Sequence, residues 1–377
     1  RQEPRRTGPG DPLSGLGARL RASLAREGPI SLARFMALAL LDSRGGYYAT
    51  RTPIGAAGDF TTAPEISQCF GELLGVALAR SWLDLGRPEP VILVELGPGR
   101  GTLMLDLLRA IRGVPGLASA LELHLVEPSP SLRAVQAERL AAHRPRFHET
   151  LASVPTGRPL LLVANEVLDA LPIRQLVRDA RGWRERLVGL DATGRLTFVL
   201  APTVIEAAVP EAGPEPVPVG TVVELGPARE ALVAEIAGRL AADGGLALLA
   251  DFGRLGAVGD SLRAVRGHRP ADPLDEPGTV DLAADVDFAA LRRVARAAGA
   301  TVFGPVGQGV VLERLGIGLR LARLAAGRTA AERAALEAGV RRLVAPDAMG
   351  ERFQVLALTG PGAPPPAGFL AEEEWRG

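Results

Sequence analysis

The sequence predicts an α/β fold built around a mostly parallel sheet. The first observation is the continuous apolar runs, such as "VILVEL" and "RPLLLVANE", which are typical of strands covered on both faces. The second is that segments with apolar residues at helical spacing alternate with these runs. Together they indicate strand–helix–strand units with right-handed crossovers.

The composition is typical of a folded globular protein with no net charge. Hydrophobic residues make up 47% of 377 residues, and Lys+Arg and Asp+Glu both number 43, so overall charge favours neither nucleic acid nor an anionic membrane as a partner. A single cysteine, Cys69, excludes an internal disulfide and a multi-cysteine zinc site. The four histidines are scattered, which argues against a histidine metal cluster. No stretch approaches the ~20 apolar residues of a membrane span.

The N-terminal part is predicted to be helical. Residues 13–44 contain two segments with helical spacing, separated by Gly28 and Pro29, and Ser31 is the expected N-cap of the second. A glycine-rich loop with Tyr47 and Tyr48 follows. The segment "EISQCFGELLGVALARSWLDLG" is then predicted to be a long helix.

Strands and helices alternate from residue 91 onward. "VILVEL", "LELHLVE" and "RPLLLVANE" are predicted strands, with "TLMLDLLRAIRG" and "PSLRAVQAERLAA" as the intervening helices. Residues 174–225 contain short strand patterns between Gly/Pro-rich turns. "AREALVAEIAGRLAAD" and "GGLALLADFG" then return to a helix and a buried strand. Residues 254–282 are predicted to be a long loop, followed by a helix, a helical hairpin and the last strand "RFQVLALTG".

These patterns divide the chain into six predicted parts. They are a disordered leader over 1–12, an N-terminal helical segment over 13–88, a sheet core over 89–173 and 221–253, a β-rich insertion over 174–220, a substrate loop with helical hairpin and last strand over 254–360, and a flexible Pro-rich tail over 361–377.

The stretch "VELGPGRGT" lies where the first of these strands meets a helix. Its glycines, Gly97, Gly99 and Gly101, allow a tight turn and a close approach of ligand to backbone. The spacing is G-x-G-x-G, which differs from the G-x-G-x-x-G of dinucleotide-binding proteins. The acid Glu95 lies two residues before the first glycine. This pattern favours a nucleoside that carries a charged amino-acid arm, rather than a structural turn or a pyrophosphate site.

Glu127 ends the next predicted strand. A carboxylate at that position can accept hydrogen bonds from both hydroxyls of a ribose, as in nucleotide-binding α/β folds. A solvated acid after a strand is the alternative, and the register with the glycine loop favours the ribose.

The buried strand "RPLLLVANE" ends on polar residues. Asn165 is the only asparagine of the chain, and Glu166 and Asp169 follow it. Strand ends of this kind point into the crevice at the carboxyl edge of the sheet, where carboxylates could bind a guanidinium in bidentate fashion. The alternative is a helix N-terminus that is stabilised by acids and capped by Asn165.

An ordered set of motifs resembles the MidA-type family of class I methyltransferases over about residues 28 to 358. The motifs are "GPISLARFM", "GGYY", "GDFTTAPEISQCFGELLG", "VELGPGRGTLM", "LHLVEPSPSLR", "ANEVLDALPIRQ", "LADFG", "RGHRPADPLDEPGTVDLAADVDF", "QGVVLERLGI" and "MGERFQVLAL". Each motif is modest alone, and their order makes the resemblance specific. It implies a Rossmann-like class I methyltransferase sheet with an N-terminal helical segment and a β-rich insertion.

The resemblance implies S-adenosyl-L-methionine as cofactor, with methyl transfer to a nitrogen. It places cofactor contacts after the first strand, at Glu95, Gly97, Gly99, Gly101 and Thr102, and it places the ribose at Glu127. It adds further cofactor contacts in the N-terminal motif, at Gly58, Asp59, Thr62, Pro64 and Glu65. It implies that the acceptor nitrogen binds at Asn165, Glu166 and Asp169. The chain departs from the family at Phe252 and Arg254, where Tyr and His are usual, and at Val167 and Leu168, where two Phe are usual.

The function predicted from these observations is methylation of a protein arginine, with a subunit of respiratory complex I as the implied client. A non-catalytic S-adenosyl-L-methionine-binding assembly factor and a small-molecule methyltransferase are the alternatives. The glycine spacing argues against a nicotinamide-dependent dehydrogenase. The composition bias predicts a bacterial cytoplasm, and the family's mitochondrial members make the mitochondrial matrix the alternative.

Overall fold

The computed structural model describes residues 15–50, 61–205 and 217–377. The predicted leader over 1–12 lies outside these residues. In chain order the helices are α1 (Leu16–Glu27), α2 (Leu32–Leu41), α3 (Tyr47–Thr50), α4 (Ala63–Ile66), α5 (Gln68–Asp84), α6 (Thr102–Ile111), α7 (Leu117–Ala120), α8 (Pro130–Arg139), α9 (Pro227–Asp243), α10 (Phe288–Ala297), α11 (Gln308–Arg314), α12 (Ile317–Ala325) and α13 (Ala330–Val344).

The strands are, in chain order, β1 (Ile30–Ser31), β2 (Val91–Leu96), β3 (Leu121–Val126), β4 (Arg146–His148), β5 (Leu160–Asn165), β6 (Arg174–Asp179), β7 (Gly182–Leu190), β8 (Leu196–Leu200), β9 (Val222–Leu225), β10 (Gly245–Arg254), β11 (Arg263–Arg266), β12 (Arg269–Ala271), β13 (Asp281–Ala283), β14 (Val286–Asp287), β15 (Thr301–Gly307) and β16 (Phe353–Thr359).

Internal contacts divide the chain into two compact units. Among the described residues, the first contains 15–50, 172–205, 217–225 and 258–283, and the second contains 61–171, 226–257 and 284–377. The boundaries predicted from the sequence cut the chain at other residues.

The second unit contains a mixed sheet in the order β15-β16-β10-β5-β2-β3-β4, with β14 beside β10. The pairs β10–β5, β5–β2, β2–β3 and β3–β4 are parallel, whereas β16 runs antiparallel to β10 and β15. This arrangement confirms the predicted α/β sheet. All residues of β2 and β5 are buried, as expected of continuous apolar strands between two helical layers.

Alternate residues of β2 enter two separate apolar clusters. Val91 and Leu93 pack in a cluster with α5 and α6, whereas Ile92 and Val94 pack in a cluster with α9 and α10. Successive side chains of a strand point to opposite faces, so one strand contributes to both cores. The helical layers thereby hold the carboxyl ends of the parallel strands at one edge of the sheet.

The first unit contains an antiparallel sheet in the order β1-β7-β6-β9, with β8 beside β7. The strands predicted between residues 174 and 225 are therefore present. The two predicted N-terminal helices are also present, and the Ser31 hydroxyl accepts the Arg34 N–H at 3.2 Å as the predicted N-cap of α2.

The prediction of a loop over 254–282 was wrong. β11 pairs with β12 and with β13 to form a three-stranded antiparallel sheet, and β10 extends to Arg254. Each of these three strands has three or four residues, which is too short for a periodic pattern to stand out in the sequence.

The prediction of a flexible tail over 361–377 was also wrong. Phe369 is 6% exposed and belongs to an apolar cluster of the second unit, and the Trp375 N–H donates to the Val302 carbonyl at 2.8 Å. Proline lowers the propensity for helix and strand, but it does not prevent apolar side chains between the prolines from packing.

The remaining differences are local. The sequence analysis missed β15, which contains Gly304 and Pro305 and lies at the edge of the sheet, where proline is tolerated. The predicted helical hairpin is present as α12 and α13, but α11 is separate from α12 because Gly316 adopts a left-handed conformation between them. The predicted glycine-rich loop contains α3 and the start of α4.

Candidate functional site

The glycine loop between β2 and α6 has a backbone that favours glycine. Gly97, Gly99 and Gly101 have φ values of 59°, 52° and 76°, in the left-handed region. A Cβ atom on Gly97 would lie 2.7 Å from Cγ2 of Val167. The loop therefore needs glycine for its own geometry, and it presents bare backbone before α6.

Glu95 lies on β2 just before this loop and is 2% exposed. Its Oε2 atom has no hydrogen-bond partner among the described residues. Burial, together with the nearby carboxylate of Glu127, raises the pKa of Glu95 to about 8. Glu95 is therefore a buried acid that a cationic or N–H-bearing group could pair with.

Glu127 follows β3 and is 4% exposed. Its Oε1 accepts the Ser129 N–H at 2.9 Å, and its Oε2 accepts the side-chain amide of Gln136 at 3.3 Å. Burial raises the pKa of Glu127, whereas these two donors lower it. Sequence reasoning missed Gln136, whose only signal is that it lies one turn after Leu132 on the buried face of α8.

The N-terminal motif reaches the same region through α4. The Thr102 hydroxyl at the start of α6 donates to Oε1 of Glu65 at 2.6 Å, and Arg100 lies 3.6 Å from Oε2 of Glu65. Thr62 is the N-cap residue of α4, and Pro64 is buried in its first turn. The predicted residues Gly58 and Asp59 lie outside the described residues.

Glu166 follows directly after β5 and adopts a left-handed conformation with φ of 53°, which is uncommon outside glycine. Its Oε1 accepts two donors, the Ala63 N–H at 3.0 Å and the Asn165 side-chain amide at 3.0 Å. The segment after Glu166 is a turn and not a helix, so the alternative of a capped helix N-terminus was wrong. The structure brings the predicted acceptor residue Glu166 to the N-terminus of α4.

Asp251 on β10 organises that turn, and sequence reasoning assigned it no role. Its Oδ2 accepts the backbone N–H groups of Leu168 and Asp169 at 2.9 and 3.1 Å, and its Oδ1 accepts the Phe252 N–H at 2.9 Å. Asp251 is completely buried, which raises its pKa well above the ordinary value, and the charges of Asp169 and Glu166 raise it further. The register Ala250 to Asn165 between β10 and β5 places it beside the turn.

Carboxyl groups converge at the carboxyl ends of β5 and β10. Glu166 keeps some solvent access, yet burial and the charge of Asp169 together raise its pKa to about 7. Asp169 is 9% exposed. An acid whose pKa is raised by burial and by a neighbouring carboxylate releases its proton more readily when a cation binds beside it. The arrangement is suited to binding a cationic group.

The unusual residue Arg254 is already paired. Its guanidinium donates to Oδ2 of Asp285 at 3.0 Å, and Arg352 donates to both oxygens of the same carboxylate. Arg352 also lies over the ring of Phe252, 5.5 Å from its centroid. The single negative charge of Asp285 is thus shared between Arg254 and Arg352, and the three side chains keep a net positive charge.

Within residues 15–50, 61–205 and 217–377, no group of three or more His, Cys, Asp or Glu side chains could hold a metal ion. In the same part of the chain, no helix combines the length and apolar character that crossing a membrane requires.

Comparison with known proteins places this geometry among methyltransferases. Residues 73–306 match a family model described as S-adenosyl-L-methionine-dependent methyltransferase. The chain is 39% identical to the mouse mitochondrial protein arginine methyltransferase NDUFAF7, over 88% of this chain and 81% of that protein. It is 37% identical to the same-named Danio rerio protein, over 90% and 85% of the two chains. A Burkholderia thailandensis crystal structure bound to S-adenosyl-homocysteine superposes with a TM-score of 0.82 at 29% identity, covering 96% of this chain and 95% of that one.

Proposed function

The chain belongs to the MidA-type family of S-adenosyl-L-methionine-dependent methyltransferases, and on that basis we propose that it methylates an arginine side chain of a protein. The names of the mouse and Danio rerio relatives support this acceptor. The observation that carries the proposal is the carboxylate arrangement after β5, where both donors to Glu166 bind one oxygen, Oε1.

The residues at the ends of β2 and β3 fit this cofactor. The left-handed glycine loop leaves room beside the backbone, and Glu95 has a buried oxygen with no partner in the described part of the chain. The proposed holders of the cofactor are Glu95, Gly97, Gly99, Gly101, Thr102 and Glu127, together with Gly58, Asp59, Thr62, Pro64 and Glu65 of the N-terminal motif.

The bound cofactor supplies a methyl group on a positively charged sulfur. The protein has to align the acceptor nitrogen with that carbon and to exclude water. The Ala63 N–H and the Asn165 amide hold Glu166 in one orientation, so no side-chain motion is needed when the acceptor arrives.

Glu166 and Asp169 are proposed to bind the guanidinium of the target arginine. Among the described residues, Oε2 of Glu166 receives neither of the two donors and is left for the acceptor. Arginine presents several N–H donors in a planar fork, which carboxylates bind in bidentate fashion. A carboxylate beside the guanidinium can also accept the proton that the nitrogen releases on methylation.

Phe252 and Arg254 are consistent with an arginine acceptor. Arg254 is held by Asp285, so its guanidinium is fixed in place, but that carboxylate also binds Arg352 and offsets only part of the positive charge. The loss of the tyrosine hydroxyl at Phe252 removes a polar group but no carboxylate.

The proposal also includes a client protein and a cellular compartment. The resemblance implies a subunit of respiratory complex I as client. The mitochondrial names of the relatives support the matrix, and the composition bias supports the bacterial cytoplasm.

The experiment that tests the function combines titration with product analysis. Calorimetric titration with S-adenosyl-L-methionine, with NAD as control, measures cofactor binding. Incubation of candidate proteins with isotopically labelled cofactor, followed by hydrolysis, shows whether label enters methylarginine. Binding without any transfer would favour the assembly-factor alternative, and label in metabolites alone would favour the small-molecule alternative.

Substitution of Glu166→Gln tests the acceptor site. The amide keeps the volume and removes the negative charge, so methyl transfer should fall by about 10²- to 10³-fold while cofactor affinity changes by less than about threefold. Glu337→Gln, on the exposed side of α13, is the matched control. Equal losses in transfer rate and in cofactor affinity would contradict the assigned role.

A further inference from the structure

Gln136 is a buried polar residue whose partners both belong to the proposed cofactor site. It lies on α8 and has no exposed surface. Its side-chain nitrogen donates to the Gly99 carbonyl at 2.7 Å and to Oε2 of Glu127 at 3.3 Å. One amide group therefore connects the glycine loop after β2 with the acid after β3.

Packing alone does not account for this residue. Its Oε1 atom has no hydrogen-bond partner in the described ranges, and burial of an unsatisfied acceptor is unfavourable. Leu132, one turn earlier on the same face of α8, fills the core without that cost. An apolar side chain at position 136 could pack as Leu132 does, so the gain has to come from the amide donor.

The amide of Gln136 also favours the ionised form of Glu127. Burial disfavours the carboxylate, and the hydrogen bonds from Ser129 and Gln136 favour it. The charged groups around Glu127 are Glu95 on β2, which repels it, and Arg133 on α8, which attracts it. With one donor on each oxygen, Glu127 keeps lone pairs on both for further donors.

We propose that Gln136 is a positioning residue of the cofactor site. Its amide holds Glu127 at a set distance from the Gly99 carbonyl, and it orients the carboxylate to accept both hydroxyls of the cofactor ribose. The inference rests on the proposed placement of that ribose at Glu127. Gln136 acts through Glu127 and the glycine loop, and not by contact with the transferred methyl group.

The test measures affinity for S-adenosyl-homocysteine and for its 2′-deoxyribose analogue by calorimetry. Gln136→Met should weaken S-adenosyl-homocysteine binding by roughly 10- to 100-fold, as expected for loss of a hydrogen bond to a charged group. It should also reduce the preference for the natural ribose over the deoxy analogue, because Glu127 is no longer oriented. Gln308→Met is the matched control, since Gln308 is also completely buried, donates to one carbonyl and has an unpartnered Oε1 within the described residues.

A second variant separates positioning from general damage. Gln136→Glu has the same shape, but the introduced carboxylate repels Glu127 and lacks a donor. Binding should therefore be weaker at about pH 8 than at about pH 6, where the introduced group regains a proton to donate. An unchanged ribose preference in Gln136→Met, or losses independent of pH in Gln136→Glu, would overturn the proposal.

A further control distinguishes this inference from the ribose placement itself. If Glu127→Gln binds S-adenosyl-homocysteine as the wild type does, the ribose does not lie at Glu127. If Glu127→Gln loses affinity and both Gln136 variants keep it, the ribose placement stands and the role of Gln136 is wrong.

Discussion

Glu95 illustrates how one buried acid connects folding to pH. Its pKa of about 8 in the folded chain lies above the ordinary value of 4.5. Between these values the folded state binds a proton that the unfolded state has released. The contribution of Glu95 to stability is therefore complete below about pH 4.5 and is lost as the pH rises through about 8.

Substitution of Glu95→Gln should remove this loss. Without cofactor, the variant should gain thermal stability relative to the wild type as the pH rises from about 5 to about 9, because glutamine does not titrate. Thermal unfolding at several pH values measures the difference in Tm. Glu138→Gln, at an exposed position, is the control, and a difference in Tm for Glu95→Gln that stays constant with pH would contradict the assignment.

At the scale of secondary-structure elements, α4 connects the two proposed halves of the site. Its first residue, Ala63, donates its backbone N–H to Glu166, and its third residue, Glu65, accepts the Thr102 hydroxyl next to the glycine loop. A helix N-terminus is a favourable neighbour for a carboxylate. A displacement of α4 would therefore disturb the proposed cofactor contacts and the acceptor carboxylate together.

Substitution of Ala63→Pro removes the N–H that Glu166 accepts, and it adds ring atoms at a buried position. Proline is well tolerated at the first position of a helix, so α4 should remain folded. Methyl transfer should fall by about 10- to 100-fold, because a hydrogen bond to a charged group is lost, while S-adenosyl-homocysteine affinity should change by less than about threefold. Ala330→Pro, at the exposed first position of α13, controls for the backbone change, and the affinity for S-adenosyl-homocysteine controls for damage to packing. Transfer at the wild-type rate would show that the Ala63 N–H is dispensable.

The elements also show where sequence patterns succeed. β2 and β5 were predicted because their residues are apolar except for Glu95 and Asn165 near the strand ends, and both lie in the centre of the sheet with two covered faces. β11, β12 and β13 were missed because each pairs over three or four residues, and such pairing depends on partners distant in the chain. β15 was missed because Gly304 and Pro305 interrupt its pattern, which an edge strand tolerates.

At the scale of the whole molecule, the division into two units leads us to expect that cofactor binding stabilises one unit more than the other. The described residues proposed to bind the cofactor all belong to the second unit, from Thr62 to Glu127. The hairpin of β7 and β8 belongs to the first unit. A ligand stabilises the region that binds it by shifting the local opening equilibrium.

S-adenosyl-homocysteine should therefore slow amide hydrogen exchange most strongly in residues 95–104 and 127–136. At about 100 times Kd the protection should reach roughly 2.7 kcal/mol where exchange requires ligand release. Residues 182–200 serve as the internal control, since they should change least. Uniform protection of both units, read peptide by peptide by mass spectrometry, would contradict this localisation.

The sequence by itself determined the class of fold, the glycine turn and the acids at the strand ends. These features depend on local spacing and on alternation along the chain. Gly97, Gly99 and Gly101 predicted a tight turn, and the structure forms that turn with left-handed backbone at all three glycines. Only the tertiary structure decided how the acids are held. Ala63 meets Glu166 across 103 positions, Asp251 meets Leu168 across 83, and Gln136 meets Gly99 across 37. Contacts of this kind arise when the sheet brings distant strand ends to one edge, and no local pattern records them.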